Sequence, residues 1–178
     1  MILPRQRFAQ SLQYSAPSGY TVRTWIRNDY DGYVRLMTRA GFPQWTDPQR
    51  LATSLERCLP RGIFLVIEEH SGEFVATATA WHHPSQEHPF GGELAWVAAD
   101  PDHKGKQLGA VASVAATVRL IQAGYEEIYL RTDDYRLPAI KTYFKLGWEP
   151  FLCAPDMAER WRAVCQQLNW HYPIEGER

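Results

Sequence analysis

The chain has 178 residues, of which 45% are hydrophobic and 22% charged, enough for one domain with a real core and too apolar for a disordered chain. Nineteen Lys and Arg nearly cancel twenty Asp and Glu, leaving a formal net charge of −1. That excludes the global positive field of a nucleic-acid or anionic-membrane binder, so an anionic ligand must be held by a local site. No apolar run approaches the ~20 residues of a membrane-spanning helix, and no apolar leader follows Arg5 and Arg7. Three widely spaced cysteines, Cys58, Cys153 and Cys165, give neither a disulfide framework nor a zinc site. The expectation is a cytoplasmic protein with no metal.

Residues 1–18 are polar and contain Pro4 and Pro17, which predicts an irregular arm ahead of a single domain at 19–178. Gly19 to Trp25 alternates in strand fashion. Tyr30, Tyr33, Val34 and Met37 then recur at helical spacing, with Asn28 or Asp29 as a cap. A second helix starts near Pro48, with Leu51, Leu55 and Leu59 on one face. Ile63 to Glu69, Phe74 to Trp81 and Gly92 to Ala99 read as an antiparallel meander, the first two joined at Ser71-Gly72.

After Asp100-Pro101 the pattern changes. Lys106 to Ala123 carries a broad apolar stripe through Leu108, Val111, Val114, Ala115, Val118 and Ile121, closed by Gly124. Glu127 to Thr132 reads as a strand, Leu137 to Leu146 as a helix ended by Gly147, and Trp148 to Cys153 as another strand. Met157, Trp161, Val164 and Leu168 mark a last helix, and Asn169 to Pro173 a further edge strand. The sum is an α/β (mixed α+β) domain with helices packed on a sheet.

The loop before the long helix carries the chemical signal. Unpaired amides and the positive end of the dipole meet at the start of a helix. Gly105 and Gly109 admit close backbone approach, and Lys104 and Lys106 add charge, which together make a phosphate cradle. There is no GxxxxGK[ST] for a nucleoside triphosphate and no GxGxxG for a dinucleotide. A diphosphate held without metal remains, and coenzyme A carries one.

Here the sequence resembles the GNAT acyltransferase superfamily, whose signature runs roughly V-x-P-x-x-R/Q-x-x-G-x-G/A into a helix. The matching residues are Ala99, Pro101, Lys104, Gln107 and Gly109, with Lys104 where Arg or Gln is usual and Gln107 where Gly is usual. A second block, Tyr129 to Pro150, resembles the family's later strand, loop and helix, with Ala139, Tyr143 and Gly147 in register, Trp148 for the usual Phe and Arg136 where Asn often sits. The resemblance covers about residues 19–153. It implies a mostly antiparallel twisted sheet of six to seven strands flanked by helices, and acetyl-CoA as co-substrate.

The same resemblance puts the coenzyme on Val97, Ala99, Lys104, Gly105, Lys106, Gln107, Leu108, Gly109, Ala110 and Arg136. It makes Tyr143 the acid for the leaving thiolate and Glu93 the base for the amine. An apolar helix face also accounts for Tyr143, and a solvated strand start for Glu93. His82, His83 and His88 match no standard metal spacing and read as a solvated loop, from which one could supply an alternative base or touch the acceptor. Aromatics around the first two helices (Trp25, Tyr30, Tyr33, Phe42, Trp45) suit either an acceptor pocket or core packing. The implied reaction is direct acetyl transfer to a small-molecule or peptide amine. The alternative is a non-catalytic acyl-CoA-binding sensor. Pairing of an edge strand would allow a homodimer.

Overall fold

The computed structural model describes residues 1–8 and 15–171. Among these, six strands form one sheet in the order β1-β6-β5-β4-β3-β2. They are β1 (Ile2–Leu3), β2 (Tyr20–Thr24), β3 (Cys58–Glu68), β4 (Phe74–His82), β5 (Gly91–Ala99) and β6 (Glu127–Tyr129). All neighbours are antiparallel except β5 and β6, the mostly antiparallel α/β sheet expected.

Helices cover both faces. On one, α1 (Tyr30–Arg39) and α2 (Pro48–Arg57) enclose a core of Tyr33, Met37, Trp45, Leu51 and Leu65. On the other, α3 (Leu108–Gln122), α4 (Leu137–Lys145) and α5 (Met157–Leu168) bury Val111, Leu120, Ile128, Ile140 and Trp161. Pro48 opens α2, whose Asp47 carboxylate accepts from the Gln49 N–H at 3.0 Å, as an N-cap should. Asp29 does not cap α1. Its buried carboxylate accepts instead from the Arg23 guanidinium at 2.5 and 2.8 Å and from the Ile26 N–H at 2.8 Å.

The two ends of the domain depart from the sequence expectation together. Residues 1–18 do not begin as an irregular arm: Ile2 and Leu3 pair with Tyr129 and Ile128 of β6, and Leu3 is buried in the core. Ile2 also bridges Glu149. The N-terminal strand thus lies between β6 and the segment expected as a strand at 148–153, which keeps only that one bridge. Two residues are too few to show a periodicity, so their capture by a sheet edge leaves no local trace. At the other end Asn169 terminates α5 in the left-handed region (φ 48°, ψ 47°) and Trp170 stacks on Phe144 at 5.2 Å. Residues 169–171 form no strand; the rest of the edge strand expected at 169–173 lies outside the described residues.

Candidate active site

The site is built around an interruption in β5. Thr77 of β4 pairs with Ala98 and Thr79 with Ala95, so β5 holds one residue more than β4 across the same span. This is a bulge, and Trp96 sits in it with φ 49°. A positive φ costs a bulky residue on the order of 1–3 kcal/mol and persists only where the surroundings fix it. Here the Trp96 ring meets Trp45, Trp81 and Phe42 edge-on at 4.7, 5.9 and 6.0 Å.

On its other side β5 pairs with β6 only from Gly91 to Glu93. The expected strand at 127–132 therefore stops at Tyr129, because the bulge and twist carry β5 away from it. Among the described residues the backbone from Ala95 to Ala99 has no strand partner on that side, and the two strands open like a V.

One cleft, of about 310 Å³, lies at the far end of β5, between it and the starts of α3 and α4. Asp100 caps the turn that follows the strand, accepting from the Asp102 N–H at 3.0 Å. Gly105 then takes φ 85° and Gln107 φ 59°, ψ 23°. The left-handed Gln107 is why α3 begins at Leu108 rather than Lys106. A left-handed residue running into a helix turns successive amides into one concavity, suited to an anion. A Cβ built on Gly109 would point toward the Ala99 Cβ, 3.7 Å away, so a larger side chain there would enter the cleft. Val97, Ala99, Lys104, Gly105, Gln107 and Leu108, with Gly109 and Ala110, all line it. These residues fit a diphosphate and its pantetheine arm.

Lys106 and Arg136 do not line this cleft. Lys106 Nζ donates to the Tyr20 hydroxyl at 2.5 Å, and that hydroxyl also lies 3.0 Å from His103 Nδ1, tying the loop to β2. Arg136 lies on the other side of the strand, its guanidinium 4.7 Å from the centre of the Phe42 ring.

There a second cavity, of about 280 Å³, is walled by Phe42, Trp81 and Trp96 and carries Glu93, Arg131, Asp133 and Arg136. Val97, Ala139 and Tyr143 line both cavities. Tyr143 is buried, and burial pushes its hydroxyl up to about 12, so it stays protonated at neutral pH.

Glu93 is not a solvated strand start. It is 4% exposed and both oxygens are engaged: Arg131 Nε and Nη2 donate to them at 3.0 and 3.1 Å, and His83 Nδ1 contacts Oε2. The Tyr129 hydroxyl donates to the His83 carbonyl at 2.6 Å. Among the described residues, the groups in contact with the Glu93 carboxylate are Arg131, His83 and the Tyr129 hydroxyl, which lies 3.5 Å from Oε2. His83 therefore belongs to this cluster, not to a solvated loop. His88 is buried too, stacked on Tyr129 at 4.4 Å. Trp96 and Arg131 had no role in the sequence reading. A bulge shows only in strand register, and Arg131 follows a strand of three residues without any motif.

Residues 21–148 match the Acetyltransferase (GNAT) family model. The chain belongs to the GNAT acetyltransferase family. Over 90 residues it is 34% identical to a mycothiol acetyltransferase of Saccharomonospora viridis, a match covering 48% of this chain and 29% of that protein. The chain thus spans under a third of that relative. Among solved structures, the ribosomal-protein-S18-alanine N-acetyltransferase of Escherichia coli superposes with TM-score 0.57 at 21% identity, covering 74% of this chain and 79% of that one. AAC(6')-Iy in complex with the bisubstrate analogue CoA-S-monomethyl-acetylneamine superposes with TM-score 0.60 at 17% identity, covering 75% and 92%. At such identities the two structures establish the shared GNAT fold.

Proposed function

We propose that this chain transfers an acetyl group from acetyl-CoA to a primary amine by direct attack. The observation that carries the reading is the meeting of the two cavities at Val97, Ala139 and Tyr143. A thioester entering from the α3 side and an amine entering from the Trp96 side would face each other there. The family match and the mycothiol acetyltransferase relative support acetyl as the group moved.

In this reading the first-turn amides of α3, with Lys104, hold the diphosphate. The unpaired stretch of β5 supplies the N–H that receives the carbonyl oxygen as it becomes negative. The amine nitrogen bonds to the carbonyl carbon, the C–S bond breaks, and a proton lost from nitrogen ends on sulfur. A hydroxyl near pKa 12 lies about 3.5 units above an ordinary thiol, roughly 5 kcal/mol uphill for full transfer. Tyr143 therefore acts best as a hydrogen-bond donor to the departing sulfur. Glu93 orients Arg131, and the ammonium proton leaves by way of the Glu93–His83 pair.

Calorimetric titration with acetyl-CoA, followed by thiol-release assays against amines, tests this. Saturable binding plus amine-dependent release of CoA is the expected result. Binding with no release to any amine would favour the non-catalytic sensor. Unchanged turnover in both Tyr143→Phe and Glu93→Gln would remove the assigned roles.

A further inference from the structure

The second cavity contains four charged side chains arranged as two pairs, Arg131 with Glu93 and Arg136 with Asp133. The pairs are unequal in what they offer a ligand. Glu93 is 5% exposed at its side chain, whereas Arg131 above it is 65% exposed. The carboxylate is consumed and the guanidinium is presented. Two bonds, from Nε and Nη2, fix the guanidinium plane, and Nη1 has no hydrogen-bond partner among the described residues.

Arg136 is held by different neighbours and is the less exposed member of its pair, 34% against 57% for Asp133. Nε donates to Asp133 at 3.0 Å, the group lies over the Phe42 ring at 4.7 Å, and Nη1 again has no partner among the described residues. Two pre-oriented guanidinium edges facing one cavity are suited to a compact oxyanion, because Arg binds carboxylate and phosphate at low ordering cost. The remaining wall is Phe42, Trp81 and Trp96, which favours an apolar or planar body.

The charge balance bears on the chemistry as well. An ammonium must lose its proton before it attacks, and nearby cations favour the neutral amine. Arg131 and Arg136 offset the carboxylates of Glu93 and Asp133 here, so the cavity adds no net negative charge that would hold the amine protonated.

We infer that the acceptor is a small zwitterion: an amine joined through an apolar body to an oxyanion, which Arg131 and Arg136 hold while the amine points at the Val97–Tyr143 junction. This rests on the transfer reading given above and names its substrate class. A hydrophobic amino acid or a phosphorylated amine supplies the same three parts.

The test is thiol release with acetyl-CoA across matched series: phenylalanine, its methyl ester and phenethylamine, with phosphoethanolamine and ethanolamine as the phosphate arm. The zwitterion of at least one series should be acetylated with kcat/KM at least tenfold above its uncharged counterparts. Arg136→Gln should erase that preference, read as a rise in KM for the zwitterion at least tenfold larger than the rise for phenethylamine. The series that shows the preference identifies carboxylate or phosphate. Equal or better turnover of the amines without an anion overturns the inference and leaves acetyl transfer standing. Binding of acetyl-CoA with no release to any amine overturns the transfer reading, and the acceptor class with it.

Discussion

Gly109 offers the most direct test of the coenzyme cleft, because it separates backbone effects from ligand effects at one position. It is the second residue of α3, its φ is not among the positive ones, and an added Cβ meets nothing nearer than the Ala99 Cβ at 3.7 Å. Gly109→Ala should therefore gain about 1 kcal/mol of helix propensity, raising Tm by roughly 2–4 °C in a chain of this size. It should still bind acetyl-CoA.

Gly109→Glu keeps the helix but sends a carboxylate into the cleft. At about 5 Å from a phosphate charge, the repulsion is ~0.8 kcal/mol in water-like surroundings and ~3 kcal/mol at an effective dielectric of 20. That weakens binding roughly four- to 150-fold before any steric loss. Calorimetry on the wild type and both variants, with Tm measured in parallel, gives the readout. Wild-type affinity in a folded Gly109→Glu protein would refute the placement of the diphosphate at the start of α3.

Tyr143→Phe removes a hydrogen bond to a developing thiolate, worth about 1.5–3 kcal/mol. kcat should fall some ten- to 150-fold with KM for acetyl-CoA little changed, as steady-state kinetics would show. Since burial pushes this hydroxyl up to about 12, the wild type should show no loss of rate from its ionisation as pH rises to 10. Asp29→Asn breaks the clamp on Arg23. Arg23 is 38% exposed, so the cost should fall below that of a fully buried pair, at about 1–3 kcal/mol, or roughly 3–9 °C in Tm.

Arg23 holds the Asp29 carboxyl below its ordinary range. The stabilisation is therefore present above the unfolded pKa of about 4 and lost as pH falls through the lower folded value. Acid melting curves should show the Asn variant losing less stability below pH 4 than the wild type. Gln107→Gly relieves a left-handed residue, a gain of about 1 kcal/mol that glycine's extra unfolded-state freedom largely cancels. Stability should stay within about 1 kcal/mol and coenzyme binding should persist, whereas Gln107→Val should lower both Tm and affinity.

The periodicity of the sequence located the meander, the long helix α3, both C-terminal helices and the turn at Gly147, because each has an apolar pattern that local geometry must obey. The cleft-lining loop ahead of α3 was legible for the same reason. Its glycines, its lysine and the helix start are close neighbours in the chain, so Lys104, Gly105 and Gln107 to Ala110 stand together in one cleft, with Lys106 turned away to Tyr20. Gln107, at a position where the family usually carries glycine, takes a left-handed φ of 59°.

What lies across the sheet was not legible. The pairing of Ile2 with Tyr129 joins residues 127 positions apart, and no local pattern specifies such a contact. The bulge at Trp96 exists only as a mismatch between two strands. The engagement of Glu93 by Arg131 and His83, and the shift of Arg136 from the expected coenzyme side to the Phe42 side, depend on where α4 and the loop before β5 are packed. The sequence alone determined the elements and the glycine- and lysine-bearing loop ahead of α3, since those follow from neighbours along the chain. Only the tertiary structure decided the cavity walled by Phe42, Trp81 and Trp96, because its walls come from five separated segments that meet where the opening between β5 and β6 leaves room for them.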